Sequence, residues 1–170
     1  MMPQVNIGTY ESLSVVGGIP DDIAEAWSAL VDCRSEFFND YDMVYDEESW
    51  ANFARTRIRD FAVARDLAGQ LCCVSYIIPE TAYSVVFHAF SFPEYRKPDI
   101  TLACARMALG YFFRTYPVHR ISTVGRWDNR VARLTAIKLG FTIEGHLREY
   151  VPYSGVMQDI YYGSILRREV

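Results

Sequence analysis

The chain has 170 residues, of which 51% are hydrophobic and 22% charged, and a formal net charge of −4. This is the balance of one folded domain, and it excludes a disordered chain, a coiled coil and collagen. It also lacks the basic excess of a general nucleic-acid binder, and no apolar stretch is long enough to span a membrane. The opening Met1-Met2-Pro3-Gln4 has no basic region followed by an apolar run, so no signal peptide is expected. Four cysteines, at positions 33, 72, 73 and 104, show no CxxC spacing and sit in apolar segments. They read as buried, reduced thiols of a cytoplasmic protein.

In chain order, a short strand is expected near residues 5–10 or 13–16, before Gly17-Gly18 breaks the chain. Pro20-Asp21-Asp22 starts a helix that places Ile23, Trp27, Leu30 and Val31 on one face. An acidic run follows, with Glu36, Asp40, Asp42, Asp46, Glu47 and Glu48. A second helix over 47–60 buries Trp50, Phe53 and Ile58. Strands then take over: 61–65, a hairpin turn at 66–69, 71–78 ended by Pro79, and 82–92 rich in Val, Phe and Tyr. Residues 98–116 read as a long helix, 120–124 as a strand, and 129–139 as a helix closed by Gly140. A last strand pair, 141–151 and 156–166, turns around residues 152–155. The order β-α-α-β-β-β-α-β-α-β-β predicts one α/β domain over 1–170. Its sheet is mixed but mostly antiparallel, with seven strands and about four helices on its two faces.

That order, and the residues of the last third, resemble the GNAT N-acetyltransferases. Asn129-Arg130-Val131-Ala132 opens a helix, Lys138-Leu139-Gly140-Phe141 ends it, and Glu144-Gly145-His146-Leu147-Arg148 follows. Asp159, Tyr162-Gly163, Leu166 and Glu169 complete the set. The spacing is nearest the branch containing the ribosomal-protein N-terminal acetyltransferases. Gly140, Phe141, Glu144, Gly145 and Asp159 read as builders of the fold. Asn129 either caps its helix or binds a ligand carbonyl. The resemblance implies acetyl transfer from acetyl-CoA to a primary amine: a protein N-terminus, a peptide or a small amine.

The resemblance also places the acetyl-CoA loop at residues 92–101. Small residues there let backbone N–H groups at a helix N-terminus hold the diphosphate. Pro93, Tyr95 and Arg96 match the family, but Asp99 and Thr101 stand at its two glycine positions and Pro98 brings no N–H. The expected cofactor contacts are Ser91, Phe92, Arg96, Lys97, Asp99, Ile100, Thr101 and Asn129. Arg96 and Lys97 compensate for the lost donors, and N–H groups near Ser91 or Phe92 bind the developing oxyanion. For the catalytic base the candidates are His88, on a central strand, and Glu94, at the strand's end. The tyrosine that many family members use as an acid is replaced by Ala136. These departures keep open a second reading, a catalytically inactive GNAT-fold protein for binding or assembly, familiar among phage and secretion-associated proteins.

Other chemistries find less support. A Cys-His hydrolase would pair Cys72 or Cys73 with His88, yet no elbow or helix N-terminus activates either thiol. The histidines and cysteines lack metal-ligand spacing, so no metal is expected. Arg126, Arg130 and Arg133 read either as a phosphate clamp near the adenosine end of the cofactor or, the favoured reading, as a solvated helix face. The acidic run over 36–48 either steers a cationic acceptor or is simply solvated. The long helix is apolar nearly all round. Its outer stripe, Leu102, Leu109 and Phe113, is expected to be covered by the last strand pair or by a second copy in a homodimer.

Overall fold

A computed structural model describes residues 5–7, 10–17, 24–27, 30–31 and 44–170. Eight strands form one sheet in the order β1-β2-β3-β4-β5-β6-β8-β7. The first four are β1 (Val5–Ile7), β2 (Tyr10–Gly17), β3 (Asp60–Arg65) and β4 (Leu71–Pro79). The rest are β5 (Ser84–Ser91), β6 (Arg120–Arg126), β7 (Thr142–Tyr153) and β8 (Val156–Leu166). Only β5 and β6 run parallel; every other neighbouring pair is antiparallel. The sheet has one strand more than the seven expected. Both apolar stretches near the start form strands, and they pair with each other, Val5 opposite Leu13 and Ile7 opposite Tyr10.

Among the described residues, three full helices flank the sheet: α1 (Glu47–Arg57), α2 (Pro98–Thr115) and α3 (Arg130–Lys138). A further helical turn occupies residues 24–27, with Ala26, Trp27 and Leu30 buried. Ile23, Cys33, Glu36, Asp40 and Asp42 lie outside the described residues, so the first expected helix and the acidic run are described only in part.

Helix α1 begins at a capping box. Asp46 accepts from the Ser49 N–H at 2.8 Å, and the Asp46 N–H donates to Ser49 Oγ at 2.9 Å. The helix ends at Arg57, three residues earlier than its periodicity suggests, because the Arg59 N–H already donates to the Ile77 carbonyl of β4. Trp50 and Phe53 set α1 on one face of the sheet. The Trp50 ring lies 6.0 Å from Phe61 of β3 and 6.4 Å from Tyr76 of β4. Replacing Asp46 with alanine should lose the cap and about 1 kcal/mol of stability, read as a lower urea midpoint with an unchanged slope. An unchanged midpoint would show that Ser49 alone holds the turn.

Helices α2 and α3 cover the opposite face. Phe112 of α2 meets Phe87 of β5 at 6.2 Å, and Phe141, just after α3, stacks on the same ring at 6.4 Å. The outer stripe of α2 is covered within the chain: Leu109 and Phe113 are buried and Leu102 is half-buried. Its cover is not the tyrosines of the last strand pair. The helix lies across the sheet and against α3, Arg106 donates to the Lys138 carbonyl, and the Arg167 guanidinium lies over Phe113. Its exposed residues are Pro98 and Thr115 at the ends and a narrow line of Asp99, Arg106 and Arg114, with half-buried Ala103 and Gly110 between them. The helix therefore makes no demand for a second chain.

Helix α3 closes on Gly140, whose φ of +100° is the left-handed conformation that a side chain disfavours. The β7–β8 hairpin turns through Ser154 and Gly155, both at positive φ, which suits the twist of two antiparallel strands.

Candidate active site

Strands β5 and β6 pair only at Ser84–Arg120, Val85–Ile121 and Val86–Ser122. Beyond that, β5 runs on to Ser91 and β6 to Arg126 without further pairing. No β6 residue is in register with His88 or Ala89 among the described residues. Side chains alternate across the sheet. On the α2 side Phe87 and Ser91 are buried, while Ala89 between them is exposed, so the helical roof is open over the cleft. Thr123 and Gly125 of β6 form the other wall, backed by Tyr161 of β8, which stands opposite Gly125. Burial pushes that phenol up to about 12. A Cβ on Gly125 would lie 2.8 Å from Tyr161 Oη and Cε1. Gly125→Ala should therefore displace the ring and destabilise the fold by about 1–3 kcal/mol, measured by urea unfolding. A loss below a few tenths would mean that the ring moves freely.

At the open end of the cleft, Pro93–Tyr95 forms a 3₁₀ turn that leads into α2. Tyr95 anchors it: its hydroxyl lies 2.9 Å from Asp66 Oδ2 and 2.8 Å from Gln70 Oε1 on the β3–β4 hairpin and shares its one proton between them. Ser91 Oγ meets Thr101 Oγ1 at 3.0 Å, tying the end of β5 to the first turn of α2. Arg96 Nε donates to the Ser91 carbonyl at 3.1 Å. Pro98 is the first residue of α2, so of its first three positions only Asp99 and Ile100 offer N–H groups. Arg96, Lys97, Asp99 and Glu94 are exposed around them, and Ile100 and Phe92 are buried. The Phe92 N–H donates to the Cys72 carbonyl at 3.1 Å and is not free for an oxyanion, contrary to expectation. Asn129 caps α3, accepting from the Ala132 N–H at 3.1 Å.

The edge of β5 past Val86, with Ala89 exposed on it, is the kind of edge on which an extended, amide-bearing arm would lie as an added strand. The diphosphate end fits less closely. Two N–H groups and two exposed cations face it, with the Asp99 carboxylate in opposition.

The face under α1 carries the rest of the site. His88 stacks on Tyr76 at 5.0 Å, and burial lowers its pKa to about 4. Glu94 stands apart on the 3₁₀ turn. The expected base candidates are thus not brought together. Cys72 shares the His88 face but sits four residues along β4 from Tyr76, about 13 Å away. Its thiol is pushed up to about 11 by burial, so no Cys-His pair forms. Cys72, Cys73 and Cys104 are free and buried. Arg126 and Arg133 are not merely solvated: they lie over the rings of Tyr153 and Trp127 at 4.0 and 4.3 Å.

Sequence reasoning missed a polar cluster beside the cleft on this face. Tyr162 Oη donates to Glu80 Oε1 at 2.8 Å and lies 2.8 Å from Ser122 Oγ. Arg120 Nε reaches Ser122 Oγ at 3.2 Å, and its guanidinium pairs with Glu144, which also accepts from Ser164 Oγ at 2.7 Å. The Arg120 bond, with Ser164 second, holds the Glu144 carboxyl below its ordinary range. The available signal was a period of two: Arg120 and Ser122 on β6, Tyr162 and Ser164 on β8.

No family model matches the sequence, and no curated protein matches it significantly. Solved structures do match the fold. Spermidine N-acetyltransferase from Vibrio cholerae, in complex with CoA and spermine, aligns with a TM-score of 0.78 at 18% identity, covering 92% of this chain and 96% of that one. The spermidine/spermine N-acetyltransferase SpeG of the same organism, in complex with manganese ions, aligns at 0.74 and 18%, covering 91% and 92%. The chain therefore has the GNAT fold.

Proposed function

We propose that the protein transfers an acetyl group from acetyl-CoA to the primary amine of a small cationic acceptor. The observation that carries this reading is the cleft where β5 leaves β6, open to α2 on one face and to a polar cluster on the other. Acetyl-CoA supplies an activated thioester there. The edge of β5 at His88 and Ala89, past its last pairing with β6, aligns its arm, and Arg96, Lys97 and the N–H groups of Asp99 and Ile100 hold the phosphates. The acceptor enters from the side of His88, Tyr162 and Glu80. Likeness to polyamine enzymes favours a small polyamine and lends no support to the ribosomal-protein branch.

The direct test is CoA release from acetyl-CoA with spermidine, a monoamine and a lysine-rich peptide as acceptors. Thermal shifts with acetyl-CoA alone accompany it. Binding should raise the midpoint, since a ligand at about 100 times its Kd stabilises by about 2.7 kcal/mol. Replacing Arg96 and Lys97 together with alanine should abolish that shift and leave the fold intact. Asp99→Asn should enlarge it by removing a charge that opposes the phosphates. No shift at millimolar acetyl-CoA would leave the second reading, a non-catalytic binding or assembly protein. Asp99 and Ala136 at positions adverse to the chemistry favour that alternative.

A further inference from the structure

The geometry points to Tyr162 and Glu80 as the pair that takes the proton from the acceptor amine, an inference that rests on the acetyl-transfer reading above. Three separate strands converge to build the pair. Glu80 follows the end of β4, Ser122 lies on β6 at the last contact before the cleft opens, and Tyr162 lies on β8. Exposure is graded across them: Ser122 is fully buried, Tyr162 is half-buried and Glu80 is exposed. A ligand on this face meets a hydroxyl, and behind the hydroxyl stands a carboxylate in contact with water.

A protonated amine has no electron pair with which to attack a thioester. As its N–H bond breaks, the proton joins Tyr162 Oη. The phenolic proton passes along the 2.8 Å bond to Glu80 Oε1. The freed electron pair on nitrogen then attacks the acetyl carbon. Tyr162 ends unchanged, and Glu80, now a carboxylic acid, returns its proton to solvent. Ser122 Oγ, 2.8 Å from Tyr162 Oη and 3.4 Å from Glu80 Oε2, fixes the phenol between donor and acceptor. Arg120 is engaged by Glu144 and Ser122. Besides Glu80, the titratable groups on this face include Arg120 of β6, Glu144 of β7, Tyr162 of β8, His88 of β5, and Cys72 and Tyr76 of β4. His88 is stacked flat on Tyr76.

The experiment measures steady-state rates of the wild type, Tyr162→Phe, Glu80→Gln and the double variant, from about pH 6 to about pH 9. Tyr162→Phe keeps the ring and Glu80→Gln is exposed, so both should melt like the wild type. Glu80→Asp stands in if the glutamine variant does not. Each single variant should lose about 100-fold in kcat, with KM changed by less than about threefold. The double variant should be no worse than either single one, because the two residues act as a unit. The deficit should shrink at high pH, where the amine loses its proton to bulk water. A loss confined to KM, losses that multiply, or unchanged rates would each overturn the pair. Turnover by the wild type with unaffected variants removes the pair alone. A wild type without turnover on any amine removes the pair together with the acetyl-transfer reading.

Discussion

Trp50→Ala is expected to lower the stability of the protein by about 3–5 kcal/mol, a large part of what a domain of this size possesses. The ring is wholly buried, and it meets Phe53, Phe61 and Tyr76 at 6.0–6.4 Å. Alanine would leave a cavity walled by three aromatic rings, which cannot collapse far because two of them sit on paired strands. The effect should extend to the site, since Tyr76 packs between this cluster and His88. Urea unfolding followed by tryptophan-independent far-UV signal measures the loss. A change below about 1 kcal/mol would show that α1 is not seated on the sheet as described.

Acidification should unfold the protein partly through His88. Burial lowers its pKa to about 4, from an ordinary value of 6.5. Between those two values the unfolded chain binds a proton that the folded chain refuses. Stability therefore rises with pH in that window. The contribution is complete above pH 6.5 and is lost progressively as the pH falls towards 4. Allowing for the partial exposure of the ring, the total is about 2–3 kcal/mol. Unfolding curves of the wild type and His88→Gln, taken across that window, isolate the term. The wild type should lose stability faster than the variant on acidification. Parallel curves would mean that the imidazole protonates in place. At neutral pH the ring is an uncharged imidazole of low basicity, and a proton from an ammonium ion would go elsewhere.

The last third of the chain was legible because its signals are local. Asn129 caps α3, Gly140 closes it at positive φ, and Ser154-Gly155 turns the hairpin, each within a few residues of the structure it dictates. The polar cluster was not legible for the opposite reason. Glu80, Ser122 and Tyr162 come from positions 42, 40 and 82 residues apart, joined only by strand pairing. A serine in a strand of β-branched neighbours gives no sign of what it will face. Helix α2 was misjudged for a different reason. Ala103 and Gly110 count as apolar in a periodicity argument, yet they present almost no surface. A line of three charged residues with small ones between them is enough for a solvent side. The segment expected as a loop before α2 holds a 3₁₀ turn, Pro93–Tyr95. Its hydrogen bonds, Phe92 to Cys72 above all, depend on the sheet and not on the loop's own residues.

The parting of β5 from β6 leaves an unfinished ladder in the middle of a sheet. Water can occupy it at no net loss of hydrogen bonds, but water has no fixed spacing. A chain carrying two amides at nearly peptide separation would complete the ladder as a missing strand does, bond for bond. Selection among acyl donors would then be exercised far from the acyl group. A thioester on a simple alkyl or aryl thiol carries the same reactive carbon and none of the amides. If the protein transfers acetyl groups as proposed, such a donor should compete poorly however good its leaving group, because the length of the handle would be met before the cargo.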